Sequence, residues 1–136
     1  MMKLLTITVP SYNSEAYLDR CMATLLPGGD EVEILIVDDG STDRTAEIAD
    51  EYERKYPNIV RAIHKENGGH GDAVTTGIRN ATGLFFKVVD SDDSLAPEAY
   101  KQVLDFLRRI VKKNHELDML ISNFVYDRHD ENGDVL

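Results

Sequence analysis

Two hydrophobic rhythms take turns along the chain. Residues 3–9, "KLLTITV", are apolar and β-branched and read as a strand, stopped by "PSYNSE". Residues 14–26 then place Leu18, Cys21, Met22 and Leu25 at helical spacing, with Ser14 as the expected N-cap. "EVEILIVDD" (31–39) is the second strand. The helix over 43–56 carries Thr45, Ile48, Ala49, Tyr52 and Tyr56 along one face and ends at Pro57. A short strand (58–64) leads into the glycine-rich loop "ENGGHG". A short helix (72–81) follows, with Gly83 as its expected C-cap. "LFFKVV" (84–89) is the fourth strand. The helix over 97–113 opens at Pro97 and turns Tyr100, Val103, Leu104, Leu107, Ile110 and Val111 inward. A last strand is expected over 117–126, with a hairpin turn at Asn132-Gly133.

Strands separated by helices imply crossover connections and a mostly parallel α/β sheet. The 136 residues suffice for one domain with a core, and no linker or repeat divides them, so 1–136 is expected to be a single domain. A return strand of only three residues after the hairpin turn suggests that the chain is the N-terminal portion of a longer protein.

Charge narrows the partners. The formal net charge is −10, which argues against nucleic acid, because phosphate binding by side chains needs clustered Lys and Arg. Cys21 is the single cysteine, so no internal disulfide can form, and its apolar helical position reads as a small buried hydrophobe. No run approaches the ~18 apolar residues of a membrane span, and "MMKLLTITVP" does not read as a signal peptide. A cytoplasmic setting is the expectation.

In open α/β sheets ligands bind beyond the carboxyl ends of the strands. The unusual residues sit at those ends: "PSYN", "DDGSTD", "ENGGHG" and "DSDD" follow the four strands in turn. Asp90, Asp92 and Asp93 crowd three carboxylates into four positions, more than capping the helix at Pro97 requires. Hard oxygen ligands suit Mg²⁺ or Mn²⁺. With Ser91 between them, Asp90 and Asp92 would point the same way in an extended segment, and Ser91 itself is expected to matter little. Leu95 stands where an EF-hand needs glycine, which excludes that loop. Asp39, at the end of the second strand, is read as a free acceptor for a base N–H. Closing an Asx turn is the equal alternative. Gly40, Ser41 and Thr42 read as turn and capping residues, and Asp43 begins the helix. "ENGGHG" offers backbone amides to a ligand but is neither a dinucleotide fingerprint nor a P-loop. His70 is either a phosphate contact or merely exposed.

Taken in order, "VPSYNSEAYL", "ILIVDDGSTDRT", "ENGGHGDAVTTGI" and "GLFFKVVDSDDSLAPE" resemble the family 2 glycosyltransferases of the GT-A fold, a Rossmann-like, mostly parallel sheet flanked by helices. The resemblance implies transfer of a sugar from a nucleotide diphosphate sugar, commonly a UDP-sugar, to an acceptor hydroxyl, with inversion and a Mn²⁺ or Mg²⁺ cofactor. Cell-envelope polysaccharide biosynthesis is the expected setting. By position, Pro10 and Tyr12 would line the base pocket, Tyr12 packing on the ring, and Asp39 would accept from the base. Asn67 and Gly68 are assigned to the nucleotide. Asp90 would lie near the ribose or the metal, and Asp92 would be the principal metal ligand, with Asp93 a third carboxylate. Val74 stands where many members carry Arg, so contacts there differ. The general base is expected beyond Leu136, which would leave these 136 residues inactive on their own. The acceptor is left open among saccharide, lipid-linked and protein acceptors, as is peripheral membrane association of a full-length protein. Rival readings are a nucleotide-sugar-binding module without activity, a metal-dependent nucleotidyltransferase and a phospho-receiver domain. The third strains against the placement of the aspartates. The second lacks a glycine-rich basic loop after the first strand.

Overall fold

The structure is a computed structural model that describes residues 2–113. Four strands, β1 (Leu5–Ser11), β2 (Val32–Asp39), β3 (Val60–Lys65) and β4 (Phe85–Val88), form one parallel sheet in the order β3-β2-β1-β4. The helices are α1 (Leu18–Leu25), α2 (Thr45–Lys55), α3 (His70–Asn80) and α4 (Pro97–Lys113), with a 3₁₀ segment over Leu26–Glu31 between α1 and β2. This is the α/β, mostly parallel architecture expected. The strand at 117–126 and the turn at Asn132-Gly133 lie outside the described residues.

Side-chain parity explains the two layers. Leu5, Ile7 and Val9 of β1 and Val32, Ile34 and Ile36 of β2 point to one face. There they meet Leu18, Cys21, Met22 and Leu25 of α1, Ala49 of α2, and Tyr100, Leu104 and Leu107 of α4. Each fully buried Leu or Ile contributes about 1.5–3 kcal/mol relative to exposure, so this face carries most of the stability. The opposite face is smaller. Leu35 and Val37 pack there against Ala73 of α3 and half-buried Ile63. The same face also buries Glu33, whose Oε1 accepts from Thr6 Oγ1 and Thr82 N, both at 2.9 Å, and whose Oε2 accepts from Thr82 Oγ1 at 3.0 Å. Burial pushes the Glu33 carboxyl up, but the hydrogen bonds from Thr82 and Thr6, with Arg61 beside them, outweigh it and hold it low. This polar knot ties the α3–β4 connection to the sheet.

Several local expectations are corrected. α1 begins at Leu18 with no side-chain cap, and Ser14 does not cap it. The amides of Tyr17 and Leu18 donate instead to the Ser14 carbonyl, while the Ser14 hydroxyl pairs with Ser91 Oγ at 2.6 Å. A tertiary partner has taken the oxygen that a cap would use. α3 begins two residues earlier than expected, so His70 and Gly71 belong to its first turn. Gly83 is not a C-cap. The helix ends at Asn80, and a Cβ at Gly83 would lie 2.6 Å from Thr6 N, so close passage over β1 is what requires glycine there. Val111, expected to face inward, is exposed, and so is Tyr56, which stacks on Tyr52.

The chain runs from β1 outward to β3 on one side and then returns to place β4 on the other side of β1. The strand order therefore reverses beside β1. In such sheets the crevice for ligands opens at that reversal, beyond the carboxyl ends. No helix among the described residues is long and apolar enough to cross a membrane.

Candidate functional site

The loop after β1 and the loop after β2 are laced together. Asn13, in the left-handed region at φ 48°, donates from N to Ser41 Oγ (3.0 Å) and accepts from Thr42 N at Oδ1 (2.8 Å). Ser14 N donates to Thr45 Oγ1 (2.7 Å), and Glu15 N to Asp43 Oδ2 (3.1 Å). Asp43 Oδ1 also accepts from Thr45 N (2.9 Å); Asp43 thus lies just ahead of α2, which begins at Thr45 rather than at Asp43 and whose N-cap, Arg44, makes no side-chain capping bond. "PSYNSE" and "GSTDRT" thus satisfy each other's backbone, and the lacing fixes where Tyr12 projects.

Parity separates the paired aspartates that end β2. Asp38 points to the α2 side. Its Oδ1 accepts from Ser41 N (3.0 Å), closing the turn, and its Oδ2 pairs with His64 Nδ1 (2.9 Å), while His64 Nε2 reaches Asp50 Oδ1 of α2 (2.7 Å). The hydrogen bonds to Asp38 and then Asp50 push the imidazole above its ordinary range.

Asp39 points to the α3 side and is 3% exposed. It is not the free acceptor that the sequence suggests. Oδ1 accepts from Lys65 Nζ (2.7 Å) and Gly68 N (2.9 Å). Oδ2 accepts from Gly69 N (3.0 Å) and, at a long 3.4 Å, from Asn67 Nδ2. Burial pushes this carboxyl up, but the hydrogen bond from Lys65, then those from Gly68 and Gly69, hold it below the usual carboxylate range. The turn-closing role belongs to its neighbour Asp38. Asp39 instead clamps the glycine-rich loop. Gly40 permits the approach: at φ 72° a Cβ there would sit 2.6 Å from Asn67 N.

The clamped loop makes one wall of a pocket of about 260 Å³, with Pro10, Tyr12, Asp39 and Asn67 among its lining residues. Those four expected nucleotide residues are brought together. Gly68 is not among the lining residues; Gly69 and His70 line the pocket instead. A second pocket, of about 310 Å³, shares Pro10, Tyr12 and His70 with the first and adds Ser14, Asp90 and Asp92.

The carboxylates after β4 converge, but not by strand alternation. Asp93 N donates to the Asp90 carbonyl (2.9 Å), so 90–93 is a tight turn rather than an extended segment. Ser91 points inward to Ser14, which makes it a structural tie rather than a spacer. One carboxylate oxygen from each of Asp90, Asp92 and Asp93 lies within 4.8 Å of the others. Octahedral Mg²⁺ with bonds of about 2.1 Å sets its ligand oxygens about 3 Å apart when adjacent and about 4 Å apart when opposed. The cluster therefore fits a hard divalent cation after small side-chain adjustments. His70 Nε2 lies 2.7 Å from Asp90 Oδ1. Cys21 sits behind the turn with Sγ 3.7 Å from the Asp90 carbonyl oxygen. Burial, then Asp93, Asp92 and Asp90, push its thiol up to about 12, which makes it inert, as its position in the helix suggests.

Known proteins match this arrangement. The model of glycosyl transferase family 2 matches residues 6–131. The glycosyltransferase GlyG of Streptococcus pneumoniae is 36% identical over 135 residues, covering 97% of this chain and 43% of GlyG. The uncharacterized glycosyltransferase EpsJ of Bacillus subtilis is 37% identical over 106 residues, covering 77% of this chain and 30% of EpsJ. The crystal structure of S. aureus TarS 1–349 in complex with UDP-GlcNAc aligns with a TM-score of 0.67 at 31% identity, covering 78% of this chain and 31% of that one. The chain spans less than half the length of these relatives. A matched family model over most of the chain, on a parallel sheet of the GT-A type, establishes that the chain belongs to glycosyl transferase family 2.

Proposed function

We propose that residues 1–136 form one domain that binds the donor of a glycosyltransferase, a nucleotide diphosphate sugar and first of all a UDP-sugar, for transfer to an acceptor hydroxyl with inversion. One observation carries this reading. A base-sized pocket and a second pocket lined by Asp90 and Asp92 of the carboxylate cluster open side by side at the reversal of strand order, sharing Pro10, Tyr12 and His70. The UDP-GlcNAc complex of TarS supports the donor class. Tyr12, half exposed beside the pocket, packs on the base while Pro10 and Asn67 flank it. The base N–H reaches Asp39 Oδ2 by displacing the long Asn67 contact, the weakest of the four that the carboxylate accepts.

Asp92 and Asp90, with Asp93 third, hold Mn²⁺ or Mg²⁺. Such an ion would supply Lewis-acid stabilisation of the leaving nucleoside diphosphate. Titration of UDP and GDP into the chain by calorimetry, with Mn²⁺ and with chelator, tests the reading. UDP should bind more tightly than GDP, and only with metal. Asp92→Ala should abolish the metal-dependent part. Equal UDP affinity in chelator and in Mn²⁺ would refute the metal role, and no UDP binding under either condition would refute the donor reading.

A further inference from the structure

We propose that His70 is the side chain that grips the donor's diphosphate, an inference that rests on the nucleotide-sugar reading above. Of the residues lining the two pockets, His70 is the single basic one, and it lines both. A nucleotide with its base between Tyr12 and Asn67, and its phosphates at the carboxylate turn, must pass this imidazole. Lys65 is the nearest alternative cation on the loop, but it is committed elsewhere. Its Nζ donates to Asp39 Oδ1, Asp72 Oδ2 and the Glu66 carbonyl.

The His70 donor is already aimed at the right place. A carboxylate oxygen only accepts, so the 2.7 Å contact with Asp90 Oδ1 places the hydrogen on Nε2. A cation that draws the Asp90 oxygens to itself competes with that contact. A phosphate oxygen beside that cation would lie within reach of the released N–H. The side chain is free to follow, being 64% exposed. His70 also opens α3, an 11-residue helix whose positive end adds attraction for an anion at this spot. The donor hydrogen bond, the cation and the helix end then act on the same group, the diphosphate. The nucleoside meets the imidazole only as a wall of its pocket and takes no hydrogen bond from Nε2, which is turned to Asp90.

NMR titration of uridine and of UDP, each with Mg²⁺, into the wild-type chain, His70→Ala and His70→Gln tests this. His70→Ala should weaken UDP about tenfold, the worth of one hydrogen bond to a charged group, and leave uridine unchanged. His70→Gln, which keeps an N–H at similar reach, should recover most of the loss. In the wild-type chain the Nε2 resonance should move with UDP and not with uridine. Mn²⁺ affinity without nucleotide, read from the electron paramagnetic signal of the free ion, should not fall in either variant, since the imidazole competes with the cation for Asp90. Unchanged UDP affinity in His70→Ala, or equal losses for uridine and UDP, would overturn the assignment while leaving the donor reading intact. Weakened Mn²⁺ binding would make His70 a metal ligand and overturn it as well. A wild-type chain that binds no UDP would overturn the donor reading and this one with it.

Discussion

Two acidic clusters share one edge of the sheet and solve the problem of charge in opposite ways. Asp39 is buried and saturated by the protein's own donors, Lys65 Nζ and the amides of Gly68 and Gly69. Asp90, Asp92 and Asp93 are gathered by a turn into a patch where like charges lie within 4.8 Å. Desolvation explains the split. A carboxylate at 3% exposure must be met by internal donors, whereas exposed Asp92 can keep its water until a cation replaces it. The first cluster builds the pocket wall. The second is the candidate metal site, assembled at some cost in repulsion.

The contrast is broken or sharpened by four experiments, in order of expected effect. Asp39→Ala should cost about 2–3 kcal/mol in urea unfolding, because it strands the two loop amides. Asp92→Ala should be neutral or stabilising by a few tenths, since it relieves repulsion. Equal losses for both would show that the two clusters do not differ as described. Next, Mn²⁺ at ten times its dissociation constant should raise the stability of the wild-type chain by about 1.4 kcal/mol and that of Asp92→Ala by almost nothing. A metal-induced rise that persists in Asp92→Ala would remove Asp92 from the ligand set.

Ser91→Ala comes third. It deletes the buried hydroxyl pair with Ser14 and should cost about 1 kcal/mol, measured by thermal melting. A wild-type melting temperature for this variant would return Ser91 to the role of spacer.

The smallest effect is in the pH profile. Asp39 is held below the ordinary carboxylate range, so its stabilisation is present above about pH 4 and is lost as pH falls through its folded value. His64 is pushed above its ordinary value of 6.5, so its contribution is complete below that value and fades as pH rises through the folded one. The imidazole is 41% exposed, and solvent screening keeps its share to a few tenths of a kcal/mol. His64→Gln should flatten the alkaline decline above pH 6.5 and leave the acid limb untouched. A decline of the same slope in His64→Gln would assign it to another group.

Much of the site is legible in the residues because parallel sheets collect the loops after their strands on one edge. Four loops carrying polar and glycine residues after four apolar runs are therefore enough to predict one crevice. Pro10, Tyr12, Asp39 and Asn67 meet there, and Asp90 joins Asp92 beside them. What the string of residues does not disclose is which acceptor is already taken. Asp38 and Asp39 are identical letters, and only the parity of β2 sends one to His64 and the other to Lys65. Ser14 looks like a helix cap because Ser commonly is one, but Ser91, 77 positions away, claims its hydroxyl. His70 reads evenly as contact or surface until the fold makes it the shared wall of two pockets.

The order of apolar runs, their periods and the residues that break them determine the α/β class, the four strands, the inward faces of most helices and the family. These properties are local or depend on strand and helix periodicity, which the chain carries in itself. Tertiary structure decides the rest. It sets the β3-β2-β1-β4 order that places the reversal beside β1, and the lacing of "PSYNSE" to "GSTDRT". It also decides whether each carboxylate is met by protein donors or by solvent. A hydrogen bond is consumed by whichever partner arrives in three dimensions, and separation along the chain says nothing about arrival.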